Sequence, residues 1–287
     1  GEEKAGARIM DFAHVAVEMV TVSLPILLGW AVCKLGLMSQ QFERELSKLV
    51  LNVALPCLVL SSIFGNSQMP GPAETAQLMV GMLAFFVLAF VIACLMTALM
   101  RAPERAKGVY RFIITFGNCG FIGFPVITAI LGKKALVYAA VGLIPSNLFI
   151  FTVGIMLFSG MEGGWRKIAR SALACCKMPT LIASFVVLAC MLTGFTDWGF
   201  VGDSIDIVGQ MTTPAALLLM GASIAHYEPL SMLTNWRAYV AAAGRLLVVP
   251  IAGMLMLRAF GAAPYVVSVL VLESGMPVAS NGTLYAI

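Results

Sequence analysis

Charged residues are scarce in this chain. Only 11% of its 287 residues are Asp, Glu, Lys or Arg, and 60% are hydrophobic. A soluble domain carries about 25% charged residues, because polar side chains must cover its surface. The shortage excludes an ordinary soluble enzyme, a nucleic-acid-binding domain and a disordered protein. The net charge of +4 must therefore be interpreted by where the charges lie relative to a membrane.

Recognisable catalytic and metal-binding motifs are also missing. The two histidines are His14 and His226, and the seven cysteines contain no CxxC pair, so no zinc pattern is present. No HExxH, P-loop or paired-carboxylate motif is found either. The sequence therefore predicts no enzyme activity, no cofactor and no nucleic-acid partner. It also argues against ATP-driven transport by this chain alone.

What the chain does contain is a series of long apolar segments separated by short polar loops. Each segment is long enough for a membrane helix, and none alternates with period two as a barrel strand would. The sequence predicts an all-α polytopic membrane protein embedded in a lipid bilayer. The nine segments are 14–35, 42–64, 75–100, 108–131, 135–159, 178–195, 204–225, 235–258 and 263–287.

The lysines and arginines predict an orientation. With the N-terminus outside, the inner connections carry twelve of the eighteen basic residues and the outer ones carry five. Cytoplasmic loops are enriched in Lys and Arg, so this distribution favours an outside N-terminus. The loops 65–74 and 196–206 contain neither residue, as expected of outer loops. Residues 1–9 are polar, and Met10 is a candidate native start.

Two stretches in different halves of the chain follow the same pattern. Asn52 precedes Pro56 by four residues, Gln210 precedes Pro214 by four, and the two prolines are 158 residues apart. A second pair of prolines, in the fourth and ninth segments, is 152 residues apart. The similar offsets indicate two repeats of five helices. Because five is odd, the second repeat would enter the membrane from the opposite side and form an inverted repeat.

This repeat defines the predicted organisation of the chain. The first half continues through a complete fifth helix, whereas only ten residues follow the last matched proline, so we expect that a tenth helix is missing from this chain. The predicted parts are an N-terminal tail (1–13), a first five-helix repeat (14–159), a cytoplasmic connecting loop (160–177) and a truncated second repeat of four helices (178–287).

Glycines and prolines predict breaks in the fourth and ninth segments. Glycine weakens a helix, and proline removes a backbone donor, so freed N–H and C=O groups must find partners. At matched positions in both halves, such breaks favour a substrate site built from half-helix ends. The alternative is that they only kink or pack the helices. The residues concerned are Gly117, Gly120, Gly123, Pro125, Gly275 and Pro277.

Amide side chains near these breaks are further candidate substrate ligands. Asn118 can donate to and accept from a carboxylate, although it could equally satisfy backbone freed by the glycines. Asn52 and Gln210 precede prolines by one turn, where capping of a free carbonyl is the alternative role. Asn147 follows Pro145, and Asn281 lies in the ninth segment.

Two charged residues fall deep inside apolar segments. Glu273 and Arg245 each lie about ten residues into a segment, roughly 15 Å from its end at 1.5 Å per residue. An ionisable residue in a membrane is costly and is a functional hypothesis by default. The sequence allows the two to pair. They would then act as a coupling site for a proton or substrate, or else as a structural salt bridge.

Three motifs resemble the auxin efflux carrier family. They are Phe116-Gly-Asn-Cys-Gly-Phe-Ile-Gly-Phe-Pro125, Leu51-Asn-Val-Ala-Leu-Pro56 and Pro214-Ala-Ala-Leu-Leu-Leu-Met-Gly-Ala222. The resemblance implies ten helices in two inverted repeats, with broken and crossing fourth and ninth helices. It places Asn118, Pro125 and Pro277 at the crossover. The short loop between the halves is similar to that of bacterial members, which implies a bacterial cytoplasmic membrane.

The resemblance also implies a function. Bacterial members include malate and malonate permeases, so the expected protein is a secondary active transporter of small organic anions such as malate, malonate or auxin-like acids. The expected mechanism is an elevator-type alternating access driven by a proton or by the membrane potential. Sodium-coupled symport on the related fold and a channel or sensor remain alternatives. A homodimer is compatible with the resemblance, although no motif indicates it.

Overall fold

The computed structural model describes residues 12–64, 69–159, 173, 175–226 and 235–278. Every named element in this part of the chain is helical, and the one other pairing in it is an isolated bridge. The prediction of an all-α protein is confirmed. The terminal tail 1–11, most of the connecting loop 160–177, and Asn281 lie outside the described residues.

The described residues of the first half form eight α-helices. The first apolar segment forms one helix that retains Pro25 in its interior. The second, fourth and fifth segments each consist of two shorter helices joined by a wider turn. The helices are α1 (Phe12–Lys34), α2 (Gln40–Leu49), α3 (Leu55–Ser61), α4 (Pro72–Leu99), α5 (Glu104–Thr115), α6 (Phe124–Leu131), α7 (Ala135–Phe149) and α8 (Ile155–Ser159).

The second half contains six described helices. The seventh segment begins earlier than predicted, at Gly199, whose N–H donates to Asp197 Oδ1 over 2.9 Å. The prediction of a loop over 196–206 is therefore wrong from Gly199 onward. The helices are α9 (Pro179–Thr193), α10 (Gly199–Gln210), α11 (Thr212–Ala225), α12 (Trp236–Ala243), α13 (Val249–Ala259) and α14 (Pro264–Ser274).

Three of the wider turns are π-helical turns that directly precede a proline, whereas the π turn Ile150–Gly154 in the fifth segment is followed by no proline in the helix it joins. The turns Val50–Ala54, Cys119–Gly123 and Gly244–Val248 each end two residues before a proline. Proline has no N–H, and its ring clashes with the carbonyl one turn earlier. A π turn widens the helix at that point and accommodates the ring. The result is a bent helix whose freed carbonyls need other partners.

Among the residues that the structure describes, five helical stretches are long and apolar enough to cross a membrane: Val17–Lys34, Pro72–Leu99, Ala135–Leu157, Gly199–Ala225 and Trp236–Ala259. Shorter apolar helices occur where the segments are broken or brief, as in Cys119–Leu131, Pro179–Thr193 and Pro264–Ser274. Short membrane helices need partners for their end groups inside the protein. The broken segments are therefore the places to look for a site.

We divide the helices into two groups, each drawing on both halves of the chain, which pack against each other where α9 meets α7 and α1 meets α6. In the first helix group, α1 packs along α11, and α3 packs against α9 and α10. Glycines allow these close crossings, because a Cβ at Gly29 would collide with the Leu218 carbonyl and one at Gly221 with the Ile26 carbonyl. In the second helix group, α4 packs against α5, α7 and α13, and α14 packs against α7 and α13.

Candidate functional site

The break in the fourth segment meets the break in the ninth. Helix α5 ends at Thr115, and the helix resumes at Cys119 after three non-helical residues. The N–H of Asn118 donates to the Pro277 carbonyl over 2.7 Å, and Gly117 forms an antiparallel bridge with Val278. We refer to residues 115–118 and 275–278 together as the crossover. The two segments of the crossover thus provide hydrogen-bond partners for some of the backbone groups that the helix breaks leave unpaired.

Asn118 caps the helix that leaves the crossover. Its Oδ1 accepts a hydrogen bond from the Phe121 N–H over 2.9 Å, and its carbonyl accepts from the Gly123 N–H over 3.0 Å. An Asn at this position satisfies one of the free donors of a helix N-terminus. The partial positive charge of that N-terminus therefore lies at the crossover. The side chain is half-buried, and its amide NH₂ group is a hydrogen-bond donor.

Arg245 joins the two broken ends from a third helix. Its side chain is only 1% exposed and projects from the π turn between α12 and α13. Its Nε donates to the Met276 carbonyl and its Nη1 to the Thr115 carbonyl, each over 3.0 Å. Both carbonyls lie at or just beyond the C-terminal end of a half-helix, where acceptors are free and the dipole is negative. The guanidinium therefore holds the crossover together.

Gly117 makes this arrangement sterically possible. A Cβ built at this position would collide with Nη2 of Arg245 and would lie 3.1 Å from the Met276 carbonyl oxygen. Any larger residue would displace the guanidinium or separate the two broken ends. The glycine is therefore required by the close approach of Arg245 to the backbone.

Glu273 and Arg245 do not form the ion pair that the sequence allowed. No carboxylate in the described part of the chain lies within 4.0 Å of the guanidinium, because its donors are directed at backbone carbonyls. Glu273 is fully buried, and neither of its carboxyl oxygens has a hydrogen-bond partner among the described residues. The two side chains therefore have different surroundings, since Arg245 donates to two backbone carbonyls and the Glu273 carboxyl has no partner among the described residues.

The Glu273 carboxyl lies in an apolar pocket between α14, α7 and α4. A Cβ at Gly142 would be 2.9 Å from Glu273 Oε2 and 3.4 Å from the Met82 side chain. The absence of a side chain at Gly142 thus makes room for the carboxyl. The main chain of Glu273 is also close to the crossover, because the thiol of Cys119 donates to the Glu273 backbone carbonyl over 3.7 Å.

The remaining predicted residues at the breaks lie in or beside the broken helix ends. Pro125 is buried in the first turn of α6, directly after the π turn Cys119–Gly123 that accommodates its ring. Gly120 faces α3, since a Cβ there would lie 3.4 Å from the Leu55 side chain. Gly275 directly follows the last residue of α14, and its N–H donates to the Val271 carbonyl. Pro277 is exposed beside Asn118.

The other predicted amides form no hydrogen bond with the crossover within the described ranges. Asn52 is exposed, and its Nδ2 donates to the Lys48 carbonyl over 2.8 Å, which is not the carbonyl that Pro56 frees one turn before it. Gln210 is exposed and its Nε2 donates to Asp206 Oδ2 over 2.8 Å. Asn147 is half-buried on α7. Of the predicted ligands, Asn118 and Pro277 are therefore the pair that the structure brings into direct contact.

A polar cavity of about 430 Å³ lies between the two helix groups. Its walls come from α3, α10 and α11 on one side and from α6, α7 and their connecting loop on the other. The lining is rich in hydroxyl, amide and charged groups. The polar and charged residues are Ser61, Ser62, Thr128, Lys133, Lys134, Asp203, Asp206, Gln210 and Thr213.

An ion pair spans this cavity from one helix group to the other. Lys133 Nζ lies 3.8 Å from Asp206 Oδ2, the same oxygen that accepts from Gln210. The neighbouring Lys134 stacks over the Tyr265 ring at 5.2 Å, which ties it to the start of α14. In the sequence, both lysines belong to the short connection between the fourth and fifth segments, one of the predicted outer connections. The available signal was that residues 133 and 134 are the one place in the chain where two lysines are adjacent.

A helical membrane protein with two broken helices joined at a buried arginine, and a polar cavity between two helix groups, has the features of a membrane transporter. A family model described as a membrane transport protein matches residues 14–287, and the chain belongs to that family. It is the auxin efflux carrier family that the three motifs resemble.

Individual relatives are distant. The chain is 26% identical over 291 residues to an "uncharacterized transporter" of Methanothermobacter thermautotrophicus, covering 97% of this chain and 90% of that protein. It is 22% identical to another from Methanocaldococcus jannaschii, covering 93% and 88%. It is 27% identical over 201 residues to a "putative malonate transporter" of Rhizobium meliloti, covering 68% and 61%.

Proposed function

We propose that this protein is a secondary active transporter of small organic anions, with the crossover as its substrate site. The observation that carries the proposal is the buried guanidinium of Arg245, which meets both helix breaks with no carboxylate within 4.0 Å among the described residues. The N-terminus of the helix at Cys119 adds a partial positive charge at the same place. A site with this electrostatic character favours an anion.

Small carboxylates are the proposed substrate class. The Asn118 amide and the half-helix end offer hydrogen-bond donors that suit a carboxylate group, with Gly120, Pro125, Gly275 and Pro277 shaping the backbone around it. The malonate named for the Rhizobium meliloti relative is a dicarboxylate of this class. Malate and auxin-like indole acids belong to the same proposed class. Asn147 and Asn281 are proposed as secondary contributors.

Glu273 is proposed as the proton-coupling residue. Its carboxyl is buried without a partner among the described residues, and its backbone carbonyl accepts from the thiol of Cys119, the first helical residue after the crossover. The ionised form of a carboxyl in this position costs much more free energy than the protonated form, because no neighbouring group compensates its negative charge. Proton uptake and release by Glu273 would then accompany movement of the anion. Arg245, in this scheme, keeps the crossover assembled and supplies the constant positive charge.

The polar cavity is proposed as the route from one membrane surface toward the crossover. Lys133 and Lys134 would raise the local concentration of anions at its mouth. By the distribution of basic residues this mouth lies on the outer side, with the N-terminus outside a bacterial cytoplasmic membrane. Asn52 and Gln210 belong to the first helix group, on one side of this route.

The two helix groups support an elevator movement. We propose that the first helix group is the scaffold and that the second, which carries the crossover, moves against it. The halves 14–159 and 178–287 would be the two members of an inverted repeat, so that each group takes equivalent helices from both. The Lys133–Asp206 pair joins the two groups and would have to break during this movement.

Reconstitution in liposomes tests the proposal. Uptake of radiolabelled malonate, malate and an indole acid is measured with and without a proton gradient, and with and without sodium. We expect saturable uptake of at least one carboxylate with counterflow. Saturable uptake that depends on sodium would identify sodium rather than the proton as the coupling ion. Flux that neither saturates nor shows counterflow would identify a channel. Absence of carboxylate flux from folded protein under every gradient contradicts the proposal.

Glu273→Gln tests the coupling residue, because it removes the titratable proton and keeps the side-chain size. We expect the dependence of uptake on the proton gradient to disappear while counterflow continues. Glu104→Gln is the matched control, since the Glu104 side chain is 85% exposed. An unchanged pH dependence in Glu273→Gln would remove Glu273 from the mechanism.

A further inference from the structure

Three side chains with metal-ligating atoms meet at one end of the first helix group. Cys33 lies at the end of α1, Glu43 in the first turn of α2, and His226 at the end of α11. Cys33 Sγ is 3.6 Å from Glu43 Oε1 and 3.7 Å from His226 Nε2, and these last two atoms are 2.9 Å apart. All three atoms lie within 4.8 Å of one another.

These separations match the edges of a tetrahedral metal site. Zinc binds Cys sulfur at about 2.3 Å and His nitrogen or carboxylate oxygen at about 2.0–2.1 Å. A tetrahedron with such bonds has edges of roughly 3.3–3.7 Å between ligand atoms. Two of the observed distances already fall at that length, and the third, now a His–Glu hydrogen bond, must lengthen by only a few tenths of an ångström.

The chemistry of the ligand set also points to a transition metal. A thiolate, an imidazole and a carboxylate together favour Zn²⁺ or a similar dication over Mg²⁺ or Ca²⁺, which prefer oxygen ligands alone. The three residues come from separate helices, with Cys33 and His226 lying 193 positions apart in the chain. A local sequence pattern does not bring them together.

The cluster is accessible from outside the protein. The His226 side chain is 37% exposed and that of Glu43 is 13% exposed. A metal ion can therefore reach the three ligands, and a water molecule can occupy a fourth position. The Cys33 thiol loses its proton to the solvent when the metal binds.

We propose that Cys33, Glu43 and His226 form a binding site for one transition-metal dication of the Zn²⁺ type. The site joins α1, α2 and α11 and is separate from the crossover. Its effect is to fasten the end of the first helix group, because a bound metal stabilises the state that presents all three ligands together. The proposal does not depend on the transported substrate.

Cobalt is the probe for this site, because tetrahedral Co²⁺ with a thiolate ligand gives visible and near-ultraviolet bands. The purified protein is treated with chelator and titrated with Co²⁺, then with Zn²⁺. We expect one Co²⁺ per chain, a sulfur-to-cobalt band, and displacement by Zn²⁺. A titration without the sulfur-to-cobalt band overturns the proposal.

Substitutions identify the ligands. Cys33→Ser and His226→Asn should each weaken binding by at least about tenfold, since even residues that only support a ligand cost 10–100-fold. Cys176→Ser is the matched control, because Cys176 is an exposed free thiol elsewhere in the chain. Equal losses in Cys176→Ser and Cys33→Ser, or no loss in Cys33→Ser, overturn the proposal.

A measurement on the unaltered chain covers the case in which a variant fails to fold. Zn²⁺ should protect Cys33 from alkylation while leaving Cys176 reactive, as read from the modified peptides by mass spectrometry. Equal labelling of Cys33 with and without Zn²⁺ overturns the proposal without any substitution.

Discussion

Arg245 and Glu273 are both buried ionisable residues in the second half of the chain, yet their surroundings differ in kind. Arg245 donates to two backbone carbonyls, whereas the Glu273 carboxyl has no hydrogen-bond partner among the described residues. Both have relative exposures of 1% or less. Burial alone therefore does not distinguish a structural charge from a functional one.

The difference lies in what each charge compensates. Arg245 satisfies carbonyls that two helix breaks leave free, so removing it would leave both a cavity and unpaired acceptors. Glu273 compensates nothing in the described part of the chain, and its burial without a partner costs stability. Because the buried Glu273 carboxyl lowers stability and still lies between packed helices, Glu273 is a better candidate than Arg245 for a residue that changes its protonation state during transport.

The largest expected effect is from Arg245→Met. It removes both hydrogen bonds and leaves the buried Thr115 and Met276 carbonyls unpaired, so at about 1–3 kcal/mol for each carbonyl we expect a loss of about 2–6 kcal/mol of unfolding free energy, and no transport. Thermal unfolding in detergent measures the effect. Arg258→Met, at an exposed position near the end of α13, is the control and should change the midpoint little. Equal midpoints for the two variants would contradict the structural role of Arg245.

Gly117→Ala is expected to have the next largest effect. The new methyl group would collide with the Arg245 guanidinium, and overpacking of this kind costs typically about 1–3 kcal/mol. Gly71→Ala is the control, because a Cβ there meets nothing within 4 Å. The two variants are compared by thermal unfolding and by uptake at saturating substrate. A midpoint for Gly117→Ala as high as that of the control would show that the crossover does not need this close approach.

Glu273→Met should change stability in the opposite direction to Arg245→Met. Replacing a buried carboxyl that has no partner by an apolar side chain of similar size removes a desolvation cost, so we expect a gain of about 1–3 kcal/mol together with loss of proton-driven uptake. The same thermal assay measures it. A destabilised Glu273→Met variant would show that the carboxyl has a structural partner after all, and would end the contrast with Arg245.

Lys133→Ala is expected to have the smallest effect on stability. Its partner Asp206 is 3.8 Å away and the lysine side chain is 75% exposed, so the pair contributes at most about 1 kcal/mol. We expect a higher KM for an anionic substrate at low salt, a difference that shrinks as salt rises. Lys177→Ala, in the connecting region between the halves, is the charge-matched control. A salt-independent change in KM would exclude electrostatic attraction as its cause.

Particular residues show how far sequence reasoning reached. The fourth and ninth segments were predicted to break at Gly117–Pro125 and Gly275–Pro277. The fourth is interrupted at residues 116–118, next to Gly117, but is helical again through Gly120, Gly123 and Pro125, and α14 ends at Ser274, directly before Gly275. The sequence left two roles open for Asn118, as a substrate ligand or as a partner for freed backbone groups, and its Oδ1 does cap the helix that begins at Cys119. Family membership also followed from the motifs around these residues.

Other features were out of reach because they depend on contacts between distant parts of the chain. The pairing of Arg245 with carbonyls rather than with Glu273 requires knowledge of which atoms lie within about 3 Å. The role of Gly142 as space for the Glu273 carboxyl, and of Lys133 as a partner of Asp206, are likewise contacts between separate helices. No local pattern specifies such distances.

The sequence by itself determined the all-helical membrane character and the positions of the helix breaks. Composition and backbone chemistry are properties of each residue and its near neighbours, so they can be read directly from the chain. Only the tertiary structure decided that the backbone segments at the two breaks hydrogen-bond to each other and that Arg245 donates to a carbonyl of each. It also decided that the Glu273 carboxyl has no hydrogen-bond partner among the described residues. Hydrogen-bond satisfaction in a membrane interior is a property of the whole packed arrangement, because each freed group takes whichever partner the surrounding helices bring near.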